Sequence, residues 1–136
     1  MNIGFTGTRK GMTKHQKDKF RFILKMLTPN HFDLFIHGDC IGADDEADTI
    51  VRKKYPSIRI VLHPPTSDKY RAFCSSPNIY TYPKKPYLVR NKHIVNKCDI
   101  LIACPEGKET LSSGTWSTIR YAFKIGKPTI IIPPKE

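Results

Sequence analysis

Three short stretches of this chain bring hydroxyls, cations, carboxylates and glycines close together: "GFTGTRKG" at residues 4–11, "HGDCIGADD" at 37–45 and "CPEGKETLSSGTWST" at 104–118. In the first, Thr6, Gly7, Thr8, Arg9 and Lys10 can offer backbone amides, two hydroxyls and two cations to a phosphate. In the second, Gly38 and Gly42 allow close approach to the backbone, while Asp39 and Asp44 can accept from ribose hydroxyls or a base. Asp44 and Asp45 can also cap and charge the start of a helix, and for Asp45 that is the reading preferred. In the third, Ser112, Ser113, Gly114 and Thr115 precede a helical pattern, so their amides and hydroxyls suit a second anion. Trp116, just beyond them, reads either as a stacking surface for a base or as a core aromatic.

Such turns need strands and helices to aim them. The runs "NIGFTG", "FDLFIHG", "SIRIVLHP", "DILIACP" and "PTIIIPP" are short, rich in Ile, Val, Leu and Phe, and closed by Gly or Pro, which predicts five buried strands. Between them, Phe20, Ile23, Leu24 and Leu27 recur at helical spacing, with Thr13 as N-cap and Pro29 as the stop. A second helix is expected over 43–55, acidic at its start and basic at its end. A third is expected over about 86–96 and a fourth over 113–124, before Gly126 and Pro128. Strand and helix alternate, so the fold predicted is α/β: one doubly wound, Rossmann-like domain over residues 1–136, its strands mainly parallel. Ligands of such sheets bind outside the carboxyl ends of the strands, where the three turns should converge. The Pro- and Tyr-rich segment at about 63–86 is expected to be a long irregular loop.

Composition narrows the partners. The chain has 136 residues, 39% hydrophobic and 26% charged, as expected of a globular protein. Lys and Arg outnumber Asp and Glu by 23 to 12, a formal charge of +11, which favours an anionic partner: nucleotide, nucleic acid or lipid head group. No apolar run reaches the ~18 residues of a membrane span, and no leader pattern is visible, so a cytoplasmic protein is expected. Cys40, Cys74, Cys98 and Cys104 form no C-x-x-C pair and read as reduced thiols. His37, Cys40 and His63 do not complete a zinc set, so no metal is expected, and no other cofactor. Read from the residues alone, Arg90 and Asn91 are surface charge at the start of the third helix.

The order and spacing of "GFTGTRKG", "HGDCIGADDEAD" and "RNKHIVNKCDILIACPEGKETLSSGTWSTIRYAFKIGKPTIII" resemble the SLOG superfamily, which contains the LOG phosphoribohydrolases and the DprA/Smf proteins, and most of all its small YspA-like members. The likeness spans nearly the whole chain apart from the 63–86 loop. It implies a Rossmann-like domain binding a nucleotide or a nucleotide-derived ligand, and it moves Arg90 and Asn91 into the pocket with Thr6, Gly7, Thr8, Gly38, Asp44, Gly114 and Thr115. If a reaction is catalysed, the resemblance implies phosphate on the Thr6–Arg9 and Ser113–Thr115 amides, ribose on Asp44, and Arg90 against the developing charge. LOG enzymes carry a "PGGxGTxxE" motif whose glutamate serves N-glycosidic cleavage, and here Thr118 stands in its place. Asp39, Asp44, Glu106 or Glu109 would then have to supply the carboxylate that an oxocarbenium-like sugar needs. LOG-like hydrolysis and DprA-like nucleic-acid binding are the alternatives. Self-association, most simply as a dimer, is also expected from the resemblance.

Overall fold

The computed structural model describes residues 1–28 and 31–136. Ten elements follow one another: β1 (Asn2–Gly7), α1 (Lys14–Leu27), β2 (Leu34–His37), α2 (Ala43–Lys54), β3 (Arg59–Leu62), β4 (Ile79–Thr81), α3 (Tyr87–Lys97), β5 (Ile100–Cys104), α4 (Gly114–Lys124) and β6 (Thr129–Ile131). The strands form one sheet in the order β4-β3-β2-β1-β5-β6, and every pairing is parallel. This is a Rossmann-like α/β domain with one strand more than the sequence predicts. The sixth is β4, inside the supposedly irregular 63–86 segment. Only three residues long and mostly exposed, it carries no apolar run to announce it.

Alternation along β1 explains the two layers. Ile3 and Phe5 face α1 and α2, where Phe5, Phe20 and Phe35 pack with ring centroids 5.2–6.1 Å apart. Gly4 faces the other way, and a Cβ there would lie 2.8 Å from Cys98 Sγ. Its absence lets the end of α3 settle on the sheet. Ile94 and Val95 of α3 and Ala122 of α4 form the core of that second face with Ile36 and Leu101.

Local chemistry sets the helix starts. Thr13 and Gln16 make a reciprocal capping box on α1. Gln16 Nε2 also donates to the carbonyls of Pro105 (2.8 Å) and Ile132 (2.9 Å), fastening α1 to the ends of β5 and β6. The predicted stop at Pro29 lies outside the described residues; the C-cap is Thr28. Gly42 opens α2 at φ +87°, and Asp44, Asp45 and Glu46 fill its first turn. Ser113 caps α4 by accepting from Trp116 N.

The chain winds outward from β1 through β2 and β3 to β4, then returns through α3 to place β5 on the other side of β1. The direction of winding therefore reverses between β1 and β5. A crevice at the carboxyl ends of those two strands is the expected consequence.

Candidate functional site

A cleft of about 520 Å³ occupies that crevice. Its floor is the β1–α1 turn, Thr6 to Lys10, with Cys40 from the turn after β2 and Asp44 from the start of α2. Its walls are the first turn of α3 with Arg90 and Asn91, and the loop from Glu106 to Thr115 that leads into α4. A larger, shallow hollow of about 1100 Å³ lies at the opposite ends of the strands, around Thr28, Tyr55 and Arg59. Among the described residues, none of the buried polar atoms that lack a partner belongs to it, so the chemistry points to the cleft.

Two of the three such atoms among the described residues, Arg90 Nε and Asp44 Oδ1, belong to side chains lining the cleft; the third is His63 Nε2. Arg90 is 6% exposed and Asp44 4%. A buried polar group without a partner costs free energy, and native proteins keep few of them. Arg90 Nη2 lies 3.0 Å from Cys40 Sγ, and its guanidinium carbon is 5.0 Å from the centre of the Tyr87 ring. Asp44 accepts from Cys40 N through its other oxygen. Burial raises the Asp44 carboxyl above its ordinary pKa, against the pull of His37 and Arg90. Burial, then the Asp44 charge, pushes the Cys40 thiol up to about 11. Cys40 is therefore a neutral acceptor for Arg90 rather than a nucleophile.

The turns divide their duties differently from the sequence reading. In the β1–α1 turn the amides of Thr8, Lys10 and Gly11 are already spent on Cys104 O, Thr8 Oγ1 and Thr8 O. That turn is braced, yet it still offers its hydroxyls, the Arg9 side chain and the Arg9 amide, which donates to no group among the described residues. Arg9 stacks on Tyr70 at 4.0 Å, and Lys10 pairs with Glu106 at 2.7 Å across the mouth. At α4 the amides of Gly114 and Thr115 donate to no group among the described residues, and the space beside Gly114 is open. Ser113, Gly114 and Thr115 thus stand where an anion would meet unpaired amides.

Thr6, Gly7, Thr8, Arg9, Asp44, Arg90, Asn91, Ser113, Gly114 and Thr115 all line the cleft. Gly38, Asp39 and Gly42 do not. Gly38 is the seat of Arg90, and Gly42 lets α2 start against the carbonyls of Thr8 and Arg9, where a Cβ would come within 2.2 Å. Asp39, fully buried at φ +55°, spends both oxygens inside the protein: Arg71 Nε donates to one at 2.7 Å and Cys74 N to the other at 2.9 Å. Fully buried and off the cleft wall, it is out of reach of a ribose. Trp116 is half-buried, and its Nε1 donates to Gly107 O. Tyr87, Leu88 and Thr110 line the cleft without having been singled out, and Cys40 reads from the sequence only as a reduced thiol or an incomplete zinc ligand; Tyr87 and Leu88 just precede the Arg-Asn pair.

Beneath the second turn runs a hydrogen-bonded relay. Asp39 N donates to His37 Nδ1 at 3.0 Å, which leaves the proton on Nε2 to reach Asp48 Oδ2 at 2.7 Å, while Arg52 grips the other Asp48 oxygen. Burial alone would raise Asp48, but its bonds to His37 and Arg52 outweigh that and hold the carboxyl below its ordinary range. Cys74 lies close enough to His37 and Asp48 for one metal ion to reach all three. Metal-bound histidines donate through the other ring nitrogen, and here that nitrogen accepts, so the donor set does not fit an ion.

No protein-family model matches the chain, and neither does any curated protein. The X-ray structure of TM1055, a structural-genomics target, superposes with a TM-score of 0.65 at 18% identity, covering 94% of this chain and 71% of that one. This chain is similar to TM1055 in fold. At that identity the likeness extends no further than the Rossmann-like architecture. No helix among the described residues is long and apolar enough to cross a membrane.

Proposed function

We propose that this chain is a SLOG-type domain that binds a nucleotide or nucleotide-derived ligand in the cleft between β1 and β5. The observation that carries the reading is that Arg90 and Asp44, each with a buried atom lacking a partner among the described residues, line one cleft with the free amides of Gly114 and Thr115. A phosphate on those amides and a ribose hydroxyl donating to Asp44 would satisfy what the protein leaves open, with Arg90 holding a further ligand oxygen. The net charge of +11 would draw an anion towards the cleft.

Binding is favoured over N-glycosidic cleavage. Thr118, which stands at the place of the LOG glutamate, is 1% exposed and donates through Oγ1 to Gly114 O at 2.9 Å. It satisfies the helix and offers no carboxylate. Of the other carboxylates named, Glu106 is paired with Lys10 and Glu109 with Arg120.

Trp116, the single tryptophan, sits in the first turn of α4 and gives a direct signal. Fluorescence titration and calorimetry with nucleoside mono-, di- and triphosphates and ADP-ribose should show saturable binding, weakened at least tenfold in Arg90→Ala. A flat response across the whole panel would remove the proposal.

A further inference from the structure

The four helix N-termini are not equivalent. The start of α1 is closed by its capping box, and that of α2 by three acidic residues in its own first turn. The first turns of α3 and α4 contain no acidic residue. At α3 the N-cap is Pro86, which has no capping side chain, and the amides of Tyr87 and Leu88 donate to no group among the described residues. Both residues line the cleft, as do Gly114 and Thr115 from α4. One turn into α3 comes Arg90, a cation more than nine-tenths buried with its Nε unpartnered. Unpaired amides at a helix N-terminus and a buried guanidinium are two independent demands for negative charge.

We infer that the cleft has two anion poles, one at α4 and a second formed by the Tyr87 and Leu88 amides with Arg90, and that its ligand is a pyrophosphate-bearing nucleotide rather than a monophosphate. This rests on the reading of the cleft as a nucleotide site. One phosphate sits on the Gly114 and Thr115 amides, and the next reaches the first turn of α3. No metal ion is needed to bridge them, because both poles are supplied by the protein. Asp44, which also lines the cleft, is left to the sugar.

The test compares each nucleoside diphosphate with its monophosphate in EDTA, by calorimetry on the full chain and on two variants. Pro86→Asp places a capping carboxylate at the start of α3, where it occupies the second pole. Pro86→Ala leaves that pole open and controls for the loss of proline; thermal melts confirm that both fold. At least one diphosphate should bind about tenfold more tightly than its monophosphate in the parent and in Pro86→Ala, and the two should bind alike in Pro86→Asp. Equal binding in the parent overturns the second pole while leaving the nucleotide site standing. A preference that survives Pro86→Asp, or is lost in Pro86→Ala, overturns its assignment to α3. If no nucleotide binds, the reading of the cleft fails, and the second pole with it.

Discussion

The guanidinium of Arg90 fills the space that a side chain at Gly38 would need: a Cβ there would stand 1.5 Å from Nη1. Gly38→Ala should therefore expel the Arg90 head group at a cost of about 1–3 kcal/mol for overpacking. Ligand affinity should fall with it. In an Arg90→Ala background the alanine at 38 has nothing to displace, so a double-mutant cycle should show strong coupling between the two sites. Additive effects would separate Gly38 from Arg90.

Arg90→Ala should weaken binding by about 1.5–3 kcal/mol, the range for a hydrogen bond to a charged group, with Arg90→Lys between it and the parent. The melting temperature should change little, because the side chain brings a buried donor that the protein does not satisfy. Unfolding of the alanine variant would make Arg90 a structural cation instead.

Asp44→Asn should stabilise the ligand-free protein and weaken the ligand, in the manner of a residue kept for function at the expense of stability. The folded state raises the Asp44 pKa, so it binds more protons than the unfolded chain between the ordinary carboxylate value and the raised one. Parent stability then falls as pH rises through that window, and the asparagine variant escapes the loss. Paired thermal melts across the acid range measure it. A destabilised variant at neutral pH would refute the sign.

His63 gives the opposite slope. It is stacked on Tyr82 at 4.6 Å, and burial, with Lys97 as the next cause, lowers its pKa from 6.5 to about 4. The unfolded chain binds the proton first, so stability is full above pH 6.5 and declines as pH falls towards 4, by roughly 3 kcal/mol at the end of that window. His63→Phe should flatten this part of the acid-unfolding curve. A curve of unchanged shape would assign acid lability to the carboxylates alone.

Arg71→Ala should strand Asp39 as a buried carboxylate without its cation, at a cost on the order of 3 kcal/mol. Adding Asp39→Asn should restore much of the loss, because asparagine tolerates φ +55° and still accepts from Cys74 N. Urea melts of the single and double variants decide this. Failure of the second substitution to help would show that Arg71 acts through packing.

Much of the architecture was legible because it is locally encoded. Thr13 announced its helix through a cap, and the Ile- and Val-rich runs announced five strands. The strand β4 was not legible, since three mostly exposed residues between prolines need no apolar pattern. That omission explains the reading of Arg90 as surface charge. Once β4 runs parallel beside β3, α3 must begin at the edge where β1 and β5 end, and Arg90 is carried to the cleft. Asp39 misled for another reason: its partner Arg71 is distant in sequence, and a residue type cannot reveal which long-range cation claims it.

Both outermost strands, β4 and β6, contain three residues, and prolines follow closely at Pro83 and Pro133. An incoming strand would find a ladder too short to hold it, ending at residues with no N–H to give. The sheet is thus closed to growth at both borders. If copies of this chain meet, they do so through helices and loops, without extending the sheet from one molecule into the next.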